Sequence, residues 1–160
     1  MVIVQEADFD SAALLAGLRE QVGGQAGAIV TFTGYVRDFA PGQETDTLFL
    51  EHYPGMCERE LETIAATARE RWQLAGTVIA HRVGALTRSA QIVFVAAASA
   101  HRGDAFRGCE YMIDALKTRA PFWKRETLAD GKSFWVEQRA ADHERTESWE
   151  SPAAAPRANQ

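Results

Sequence analysis

The chain has 160 residues, 46% of them hydrophobic, and carries a formal net charge of −5. This length suits one globular domain with a sizeable core, and the acidic balance argues against a general nucleic-acid binder. No apolar run approaches the roughly 20 residues that a membrane span needs, and the acidic N-terminus is unlike a signal peptide, so we expect a cytoplasmic protein. The two cysteines and four histidines lack the paired spacing of metal ligands, so we expect no metal and no cofactor.

The charges are unevenly distributed along the chain. Residues 1–72 carry 12 acidic and 5 basic side chains, whereas residues 101–125 carry 6 basic and 3 acidic ones. A basic segment in an acidic protein indicates a small anionic ligand. A solvated helix face with scattered charges would produce the same pattern, so both interpretations stay open.

The first half of the chain alternates strand and helix patterns. Asp10 can cap a helix whose apolar residues recur at helical spacing, and Pro54 and Gly55 introduce a longer amphipathic helix that we expect Gly76 to end. Runs of β-branched and aromatic residues predict the strands. The expected elements are a strand at 2–4, a helix from 10 to 23, strands at 27–36 and 48–53 joined by a loop at 37–45, and a helix from 55 to 76.

The second half predicts two hairpins around a third helix. Strands at 77–86 and 91–98 are joined by a short polar connection, and the second is so apolar that we expect it to be central and covered on both faces. A helix follows residues 99–102 and stops at Pro121, after which strands at 122–128 and 133–137 flank a turn. The residues expected on the buried side of this helix are Ala105, Phe106, Cys109, Met112, Ile113 and Leu116.

Strands interleaved with helices indicate an α+β fold, a single domain in which a mostly antiparallel sheet with hairpins packs against about three helices. We place this domain at residues 1–139. Residues 140–160 are polar and then rich in alanine and proline, so we expect a C-terminal tail that is partly disordered, above all at 151–160.

Two places in the chain could bind an anion. His101 and Arg102 stand where a strand runs into the N-terminus of a helix, and there the backbone N–H groups and the helix dipole favour negative charge. Arg37 stands where a strand leaves the sheet, and its fork-shaped guanidinium suits phosphate. A surface role for His101 and an ordinary exposed arginine at position 37 are the alternative interpretations.

Lys117 and Lys124 flank the break at Pro121, so a tight turn could direct both amines at one cleft. Aromatic neighbours would partly desolvate them, which lowers an ammonium pKa and qualifies the amines for proton transfer near neutral pH. Lysines that satisfy the last carbonyls of a helix are also common, so this alternative stays open. Cys57 and Cys109 fall on apolar helix stripes and are interpreted as core residues.

Six segments of the chain carry a further signal. They are FTGYVRD (32–38), LEHYPGM (50–56), IAHRVGAL (79–86), SAHRGDAF (99–106), LKTRAPFWKRE (116–126) and WVEQR (135–139). In this order and spacing they resemble the signature segments of the large, catalytic subunits of molybdopterin synthase, the MoaE family. The resemblance covers about residues 2–139.

The resemblance implies a sulfurtransferase of molybdenum cofactor biosynthesis. Members of this family convert cyclic pyranopterin monophosphate, also called precursor Z, into molybdopterin by installing a dithiolene. The sulfur arrives as a thiocarboxylate on the C-terminal glycine of a small ubiquitin-like subunit, the MoaD-like partner. Two large subunits of the family's α/β hammerhead fold form a homodimer, and each binds one small subunit to give a heterotetramer.

The resemblance also implies roles for the residues that match the family's motifs. Lys117 and Lys124 match the active-site lysines, and we assign Lys117 to the incoming acyl group and Lys124 to proton transfer at the pterin side chain. Arg139 matches a residue that reaches across the dimer. The residues that match the substrate pocket are Tyr35, Val36, Arg37, His101, Arg102, Lys117, Lys124, Arg125 and Glu126, and those that match its apolar wall are Phe32 and Met112.

Two functions of other classes stay open. A non-catalytic adaptor would bind the tail of the ubiquitin-like partner and would use the lysines only for electrostatic docking. A nucleotide- or RNA-binding module would use residues 101–125, with Phe122 and Trp123 for stacking, although the acidic total argues against it. Mixing the chain with thiocarboxylated partner and precursor separates the adaptor from the enzyme, because an adaptor forms no dithiolene.

Overall fold

The computed structural model describes residues 1–37, 45–137 and 140–150, which form eight strands and four α-helices. A short 3-10 turn at Gly23–Gln25 follows the first helix. The elements in chain order are β1 (Val2–Gln5), α1 (Ser11–Val22), β2 (Ala28–Tyr35), β3 (Thr45–Glu51), α2 (Met56–Trp72), β4 (Gly76–Arg82), β5 (Gly84–Thr87), β6 (Gln91–Ser99), α3 (Arg102–Arg119), β7 (Trp123–Leu128), β8 (Ser133–Val136) and α4 (Ala140–Ser148).

The strands form two four-stranded sheets. The first sheet has the order β1-β4-β6-β2, in which only the β1–β4 pair is parallel. The second sheet has the order β5-β3-β7-β8 and is antiparallel throughout. The predicted α+β fold with mostly antiparallel strands is therefore confirmed. Among the described helices, none is both long and apolar enough to cross a membrane.

Strand β6 is the centre of the first sheet, as its apolar sequence predicts. Its residues from Val93 to Ser99 are all buried. Val93, Val95 and Ala97 face the core formed with α2 and α3, whereas Phe94, Ala96 and Ala98 pack in the core that includes Leu18 and Val22 of α1. Because side chains alternate along a strand, helices on both faces require an apolar residue at every position.

The prediction that residues 77–86 and 91–98 form one hairpin is wrong for the end of the first strand. Residues 77–86 are not one strand, because the chain leaves the first sheet after Arg82 and Gly84 turns it with a positive φ of 76°. The next residues form β5, which pairs with β3 in the second sheet, while β4 pairs with β6. A glycine within a strand pattern is a signal for such a bend, because it adopts positive φ without a steric penalty.

Gly76 does not end α2, contrary to the sequence-based expectation. The helix ends at Trp72, and Gln73 follows in the left-handed region with φ of 49°. Gly76 instead begins β4 directly beneath α1, where an added Cβ would lie 2.7 Å from Val22 Cγ1 and 2.8 Å from Leu18 Cδ1. The close approach of α1 to the sheet explains this glycine.

Helix α3 buries most of the residues that were predicted to lie on its buried side. Ala105, Cys109, Met112 and Leu116 are buried and Ile113 is partly buried, but Phe106 is 61% exposed and does not join the core. Beyond the second hairpin, residues 140–148 fold as helix α4, where the sequence predicted a polar tail. The tail residues 151–160 lie outside the described residues.

Candidate active site

A cavity of about 440 Å³ opens at one end of the second sheet, where β3 ends, β7 begins and β8 ends. Half of the residues that line it are aromatic, and Lys124 is the cationic residue among them. The residues that line it are Glu51, Phe122, Trp123, Lys124, Trp135 and Val136. Trp123 and Trp135 are 65% and 52% exposed, so the cavity has an open apolar rim. Such a rim is typical of a surface that binds a ligand or another protein.

The turn that joins α3 to β7 carries Lys124 into this cavity. Helix α3 ends at Arg119, and the extended backbone of Ala120 precedes Pro121, as expected because a residue before proline disfavours helical dihedrals. The Phe122 N–H donates to the Ala120 carbonyl at 2.8 Å. The Cys57 thiol donates to the Pro121 carbonyl at 3.5 Å, which ties the turn to the start of α2.

His81 holds the same turn from the side of the first sheet. Its imidazole stacks on the Phe122 ring with 3.9 Å between centroids and an angle of 8° between planes. Its Nδ1 lies 2.8 Å from the Arg82 carbonyl. Burial lowers the pKa of His81 to about 3, with smaller contributions in the same direction from the charges of Lys124 and His52 and an opposing one from the hydrogen bond to the Arg82 carbonyl. The ring is therefore neutral at physiological pH.

Lys117 lies in the last turn of α3 and contacts helix α4. Its Nζ is 3.4 Å from Asp142 Oδ1, and its side chain is 43% exposed. Helix α4 is anchored by Trp149, whose Nε1–H donates to Asp114 Oδ2 at 2.9 Å. The Trp149 ring also packs edge-on against Trp72 with centroids 5.5 Å apart. The predicted tail therefore contributes a carboxylate beside one of the two predicted catalytic lysines.

His101 and Arg102 lie at the opposite end of α3. His101 is the N-cap residue, and its carbonyl accepts from Asp104 N and Ala105 N at 3.2 Å, while its side chain makes no capping bond. Both side chains are exposed. Because α3 runs from Arg102 to Arg119, a rise of about 1.5 Å per residue places Arg102 roughly 22 Å from Lys117. Within one chain, one phosphate cannot contact both.

The residues that follow Lys124 point alternately to the two faces of β7. Arg125 projects from the outer face, where its guanidinium lies 5.3 Å from the Phe49 ring centroid and 5.7 Å from that of Trp135. Glu126 is on the same face as Lys124, but it is buried. The Thr45 hydroxyl donates to its Oε1, whereas Oε2 has no hydrogen-bond partner among the described residues. Lys124 and Arg125 therefore lie on opposite faces of β7, although Trp135 contacts Arg125 and also lines the cavity.

The remaining residues of the predicted pocket are divided between surface and core. Phe32 and Tyr35 are exposed on β2, and Arg37 is exposed just before residues 38–44, which are not described. Val36 is buried against Leu48, Leu50 and Leu86. Met112 is 0% exposed and packs in the core behind α3, so its side chain does not line the cavity of the single chain. Arg139 lies outside the described residues.

Three residues at the site received no role in the sequence analysis. His81 lies in the segment IAHRVGAL, which the resemblance singled out without assigning a function to any of its members. Trp135 lies in the predicted second hairpin, where its exposure could not be read from the local pattern. Asp142 stands in the polar segment that was taken as tail, and no sequence signal marks it.

The fold and the site define a class, a small α+β protein with an amine-bearing cavity and an additional cationic helix N-terminus. Comparison with known proteins identifies the family within this class. The model of the MoaE protein family matches residues 4–119. The chain belongs to the MoaE family.

Individual relatives agree with this assignment. The chain is 51% identical to the molybdopterin synthase catalytic subunit of Pseudomonas aeruginosa, over 92% of this chain and 97% of the relative. It is 46% identical to the molybdopterin synthase catalytic subunit of Vibrio cholerae, over 93% and 97% of the two chains. Among solved structures, it is similar to the molybdopterin biosynthesis MoaE protein of Burkholderia ambifaria, with a TM-score of 0.79, 45% identity and coverage of 94% and 98%.

Proposed function

We propose that this chain is the catalytic subunit of a molybdopterin synthase, a sulfurtransferase of molybdenum cofactor biosynthesis. It transfers sulfur from the C-terminal thiocarboxylate of a small ubiquitin-like, MoaD-like subunit to cyclic pyranopterin monophosphate and forms the dithiolene of molybdopterin. The observation that carries the proposal is that Lys124 lines an open cavity together with aromatic residues. This cavity occurs in a chain whose sequence is about 50% identical to that of a catalytic subunit of this enzyme. The cytoplasmic location expected from the sequence belongs to the same proposal.

The two cysteines of the chain support an external source of sulfur. Cys57 and Cys109 are both buried in the core. Burial raises the pKa of the Cys57 thiol and raises that of Cys109 to about 12. Since a thiolate and not a thiol is the effective nucleophile, neither side chain is suited to carry the sulfur that is transferred. A thiocarboxylate supplied by a partner protein meets this requirement.

The open end of the cavity suits an extended peptide tail that brings this thiocarboxylate to the lysines. The exposed rings of Trp123 and Trp135 offer apolar contact, and Lys124 offers a cation near the terminal carboxyl group. The name of the relatives, which denotes one subunit of an enzyme, agrees with a partner of this kind.

In the proposed reaction Lys117 neutralises charge beside the acyl carbon of the thiocarboxylate. Lys124 transfers a proton at the pterin side chain, where ring opening needs a proton donor. Arg37, His101 and Arg102 bind the phosphate of the precursor, a task that requires clustered cations. The other residues assigned to the substrate pocket are Phe32, Tyr35, Val36, Met112, Arg125, Glu126 and Arg139.

The length of α3 adds a requirement to this arrangement. The Cα atoms of Arg102 and Lys117 are about 22 Å apart along one helix, so a compact site that contains both is formed more readily from two copies of the chain than from one. We therefore include a homodimer in the proposal, in which the helix N-terminus of one subunit completes the lysine site of the other. With one small subunit on each copy, the assembly is a heterotetramer.

The proposal is tested with purified chain, thiocarboxylated partner and precursor. Lys117→Ala and Lys124→Ala are expected to abolish dithiolene formation while partner binding survives. Lys132→Ala, which removes an exposed lysine of the β7–β8 turn, serves as the matched control and is expected to keep full activity. Full turnover by both site variants would contradict the proposal, and a native chain that binds the partner but forms no dithiolene would instead indicate an adaptor.

A further inference from the structure

The segment IAHRVGAL brings a buried histidine to the edge of the site. His81 is 3% exposed and lies near the end of β4. A carbonyl oxygen can only accept a hydrogen bond, so the contact of Nδ1 with the Arg82 carbonyl places the ring proton on Nδ1. This contact and the stacking on Phe122 fix both the orientation and the tautomer of the ring.

The contact partner of His81 makes this histidine relevant to catalysis. Phe122 lies two residues before Lys124 and also lines the cavity. The turn that contains Phe122 lies between α3, which carries Lys117, and β7, which carries Lys124, so its conformation contributes to the relative placement of the two lysines. The Cys57 thiol holds this turn from the side of α2, and His81 holds it from the first sheet. Two buried, uncharged side chains thus position the turn.

We propose that His81 is a positioning residue for Lys124, which it places by stacking a flat, neutral ring on Phe122. The inference rests on the proposed function, because it concerns the same amine. The charged and titratable groups that act on the ring are Lys124 of β7 and His52, which follows β3. An imidazolium at this position would repel the Lys124 ammonium, so a neutral ring fits its surroundings better than a cation. His81 itself transfers no proton in this proposal.

The test compares two replacements of His81 in the assembled enzyme. His81→Ala removes the ring and is expected to lower kcat about tenfold or more, since small misplacements of reacting groups cost this much, with the KM for precursor unchanged. His81→Phe keeps a flat ring and is expected to retain kcat within about threefold of the native value, with the same pH–rate profile. His143→Ala, which removes an exposed histidine of α4, is the matched control.

A double-variant cycle makes the test specific to the stacked pair. Phe122→Ala alone is expected to lower kcat, and His81→Ala is expected to add little to it, because the two rings act as one unit. Should His81→Ala fold poorly, His81→Leu takes its place, since it fills the volume without a flat ring.

Three results would overturn the inference. The first is a native kcat in a folded His81→Ala or His81→Leu chain. The second is a kcat of His81→Phe as low as that of His81→Ala. The third is additive effects of the His81 and Phe122 replacements on kcat. A slow phenylalanine variant would point to proton transfer by the imidazole itself. If Lys124→Ala keeps full activity, the proposed function fails. If Lys124→Ala is inactive and the ring variants behave like the native chain, only the role of His81 fails.

Discussion

Lys117 Nζ lies 3.4 Å from Asp142 Oδ1, and this contact joins the last turn of α3 to the first turn of α4. The lysine side chain is 43% exposed and the aspartate side chain is 23% exposed. Helix α4 lies beyond the residues that match the family model, which end at 119. A segment outside that match therefore contacts a lysine on which the proposed chemistry depends.

We expect Asp142→Asn to lower turnover while the fold persists. The carboxylate orients the Lys117 amine, and a partly exposed ion pair contributes up to about 1 kcal/mol, which corresponds to a two- to fivefold loss of kcat. The measurement is the rate of dithiolene formation with saturating partner and precursor, together with the free energy of unfolding.

Asp130→Asn provides the matched control for this variant. Asp130 pairs with Lys132 at 2.7 Å in the turn between β7 and β8, so its replacement removes an exposed Asp–Lys pair of the same chemistry. Equal rates for the native chain and Asp142→Asn would show that the contact does not orient the Lys117 amine for the proposed reaction.

Mixing the Arg102→Ala and Lys117→Ala variants is expected to raise activity above that of either variant alone if the site is shared between subunits. Arg102→Ala is expected to weaken substrate binding by about 1.5–3 kcal/mol, the scale of a hydrogen bond to a charged group. A dimer of one Arg102→Ala chain and one Lys117→Ala chain keeps one intact site, so random exchange recovers about a quarter of native activity. The measurement is turnover after the two proteins have exchanged subunits.

A second mixture distinguishes this result from nonspecific recovery. In the proposed function Lys117 and Lys124 belong to the same site in the same chain, so Lys117→Ala mixed with Lys124→Ala is expected to leave every site damaged. Recovery in this mixture, or its absence in the first one, would contradict a site built from both subunits.

The buried ring of His81 predicts how stability depends on pH. The pKa of His81 is about 3 in the folded chain and 6.5 in an unperturbed histidine. Between these values the unfolded chain binds more protons, so the stabilisation is complete above pH 6.5 and is lost as the pH falls. From pH 7 to pH 5 we expect the free energy of unfolding to fall by about 2 kcal/mol more in the native chain than in His81→Phe. Denaturant titrations of both proteins at the two pH values provide the comparison, and equal losses would show that His81 titrates normally.

Gly76→Ala is expected to destabilise the chain by about 1–3 kcal/mol, because the added methyl overpacks the contact between β4 and α1. Its Cβ would lie within 2.8 Å of buried atoms of both Val22 and Leu18. Gly17→Ala is the control, since nothing lies within 4 Å of the added Cβ on the exposed face of α1. That change is expected to stabilise the helix by about 0.5–1 kcal/mol. Thermal unfolding of the two variants measures the difference, and a Gly76→Ala chain as stable as the native one would contradict the close packing.

Local sequence patterns predicted most of the elements. The Asp10 side chain accepts from Ala12 N and Ala13 N at the start of α1, as its capping position predicted. The apolar run of β6 predicted a strand covered on both faces, and the pair of β7 and β8 forms the expected hairpin. These features depend on residues that are close together in the chain. Periodicity and capping residues therefore predict them from the sequence.

Family membership was also predicted from the sequence, because the six ordered segments can be recognised without knowing the direction of each side chain. The directions of those side chains were decided by the tertiary structure. Consecutive residues Lys124 and Arg125 look alike in sequence, yet β7 directs them to opposite faces. Met112 lies on the helix that carries Lys117, but its place on the helix puts it in the core.

The sequence by itself determined the α+β character and the central strand, and it predicted a catalytic role for the two lysines that flank Pro121. Only the tertiary structure decided that His81 meets Phe122, that Asp142 meets Lys117, and that Arg102 stands a helix length away from the lysines. Capping, turns and periodicity act over a few residues, and so a sequence displays them. Contacts between distant segments depend on how sheets and helices pack in three dimensions, and no local pattern encodes that packing.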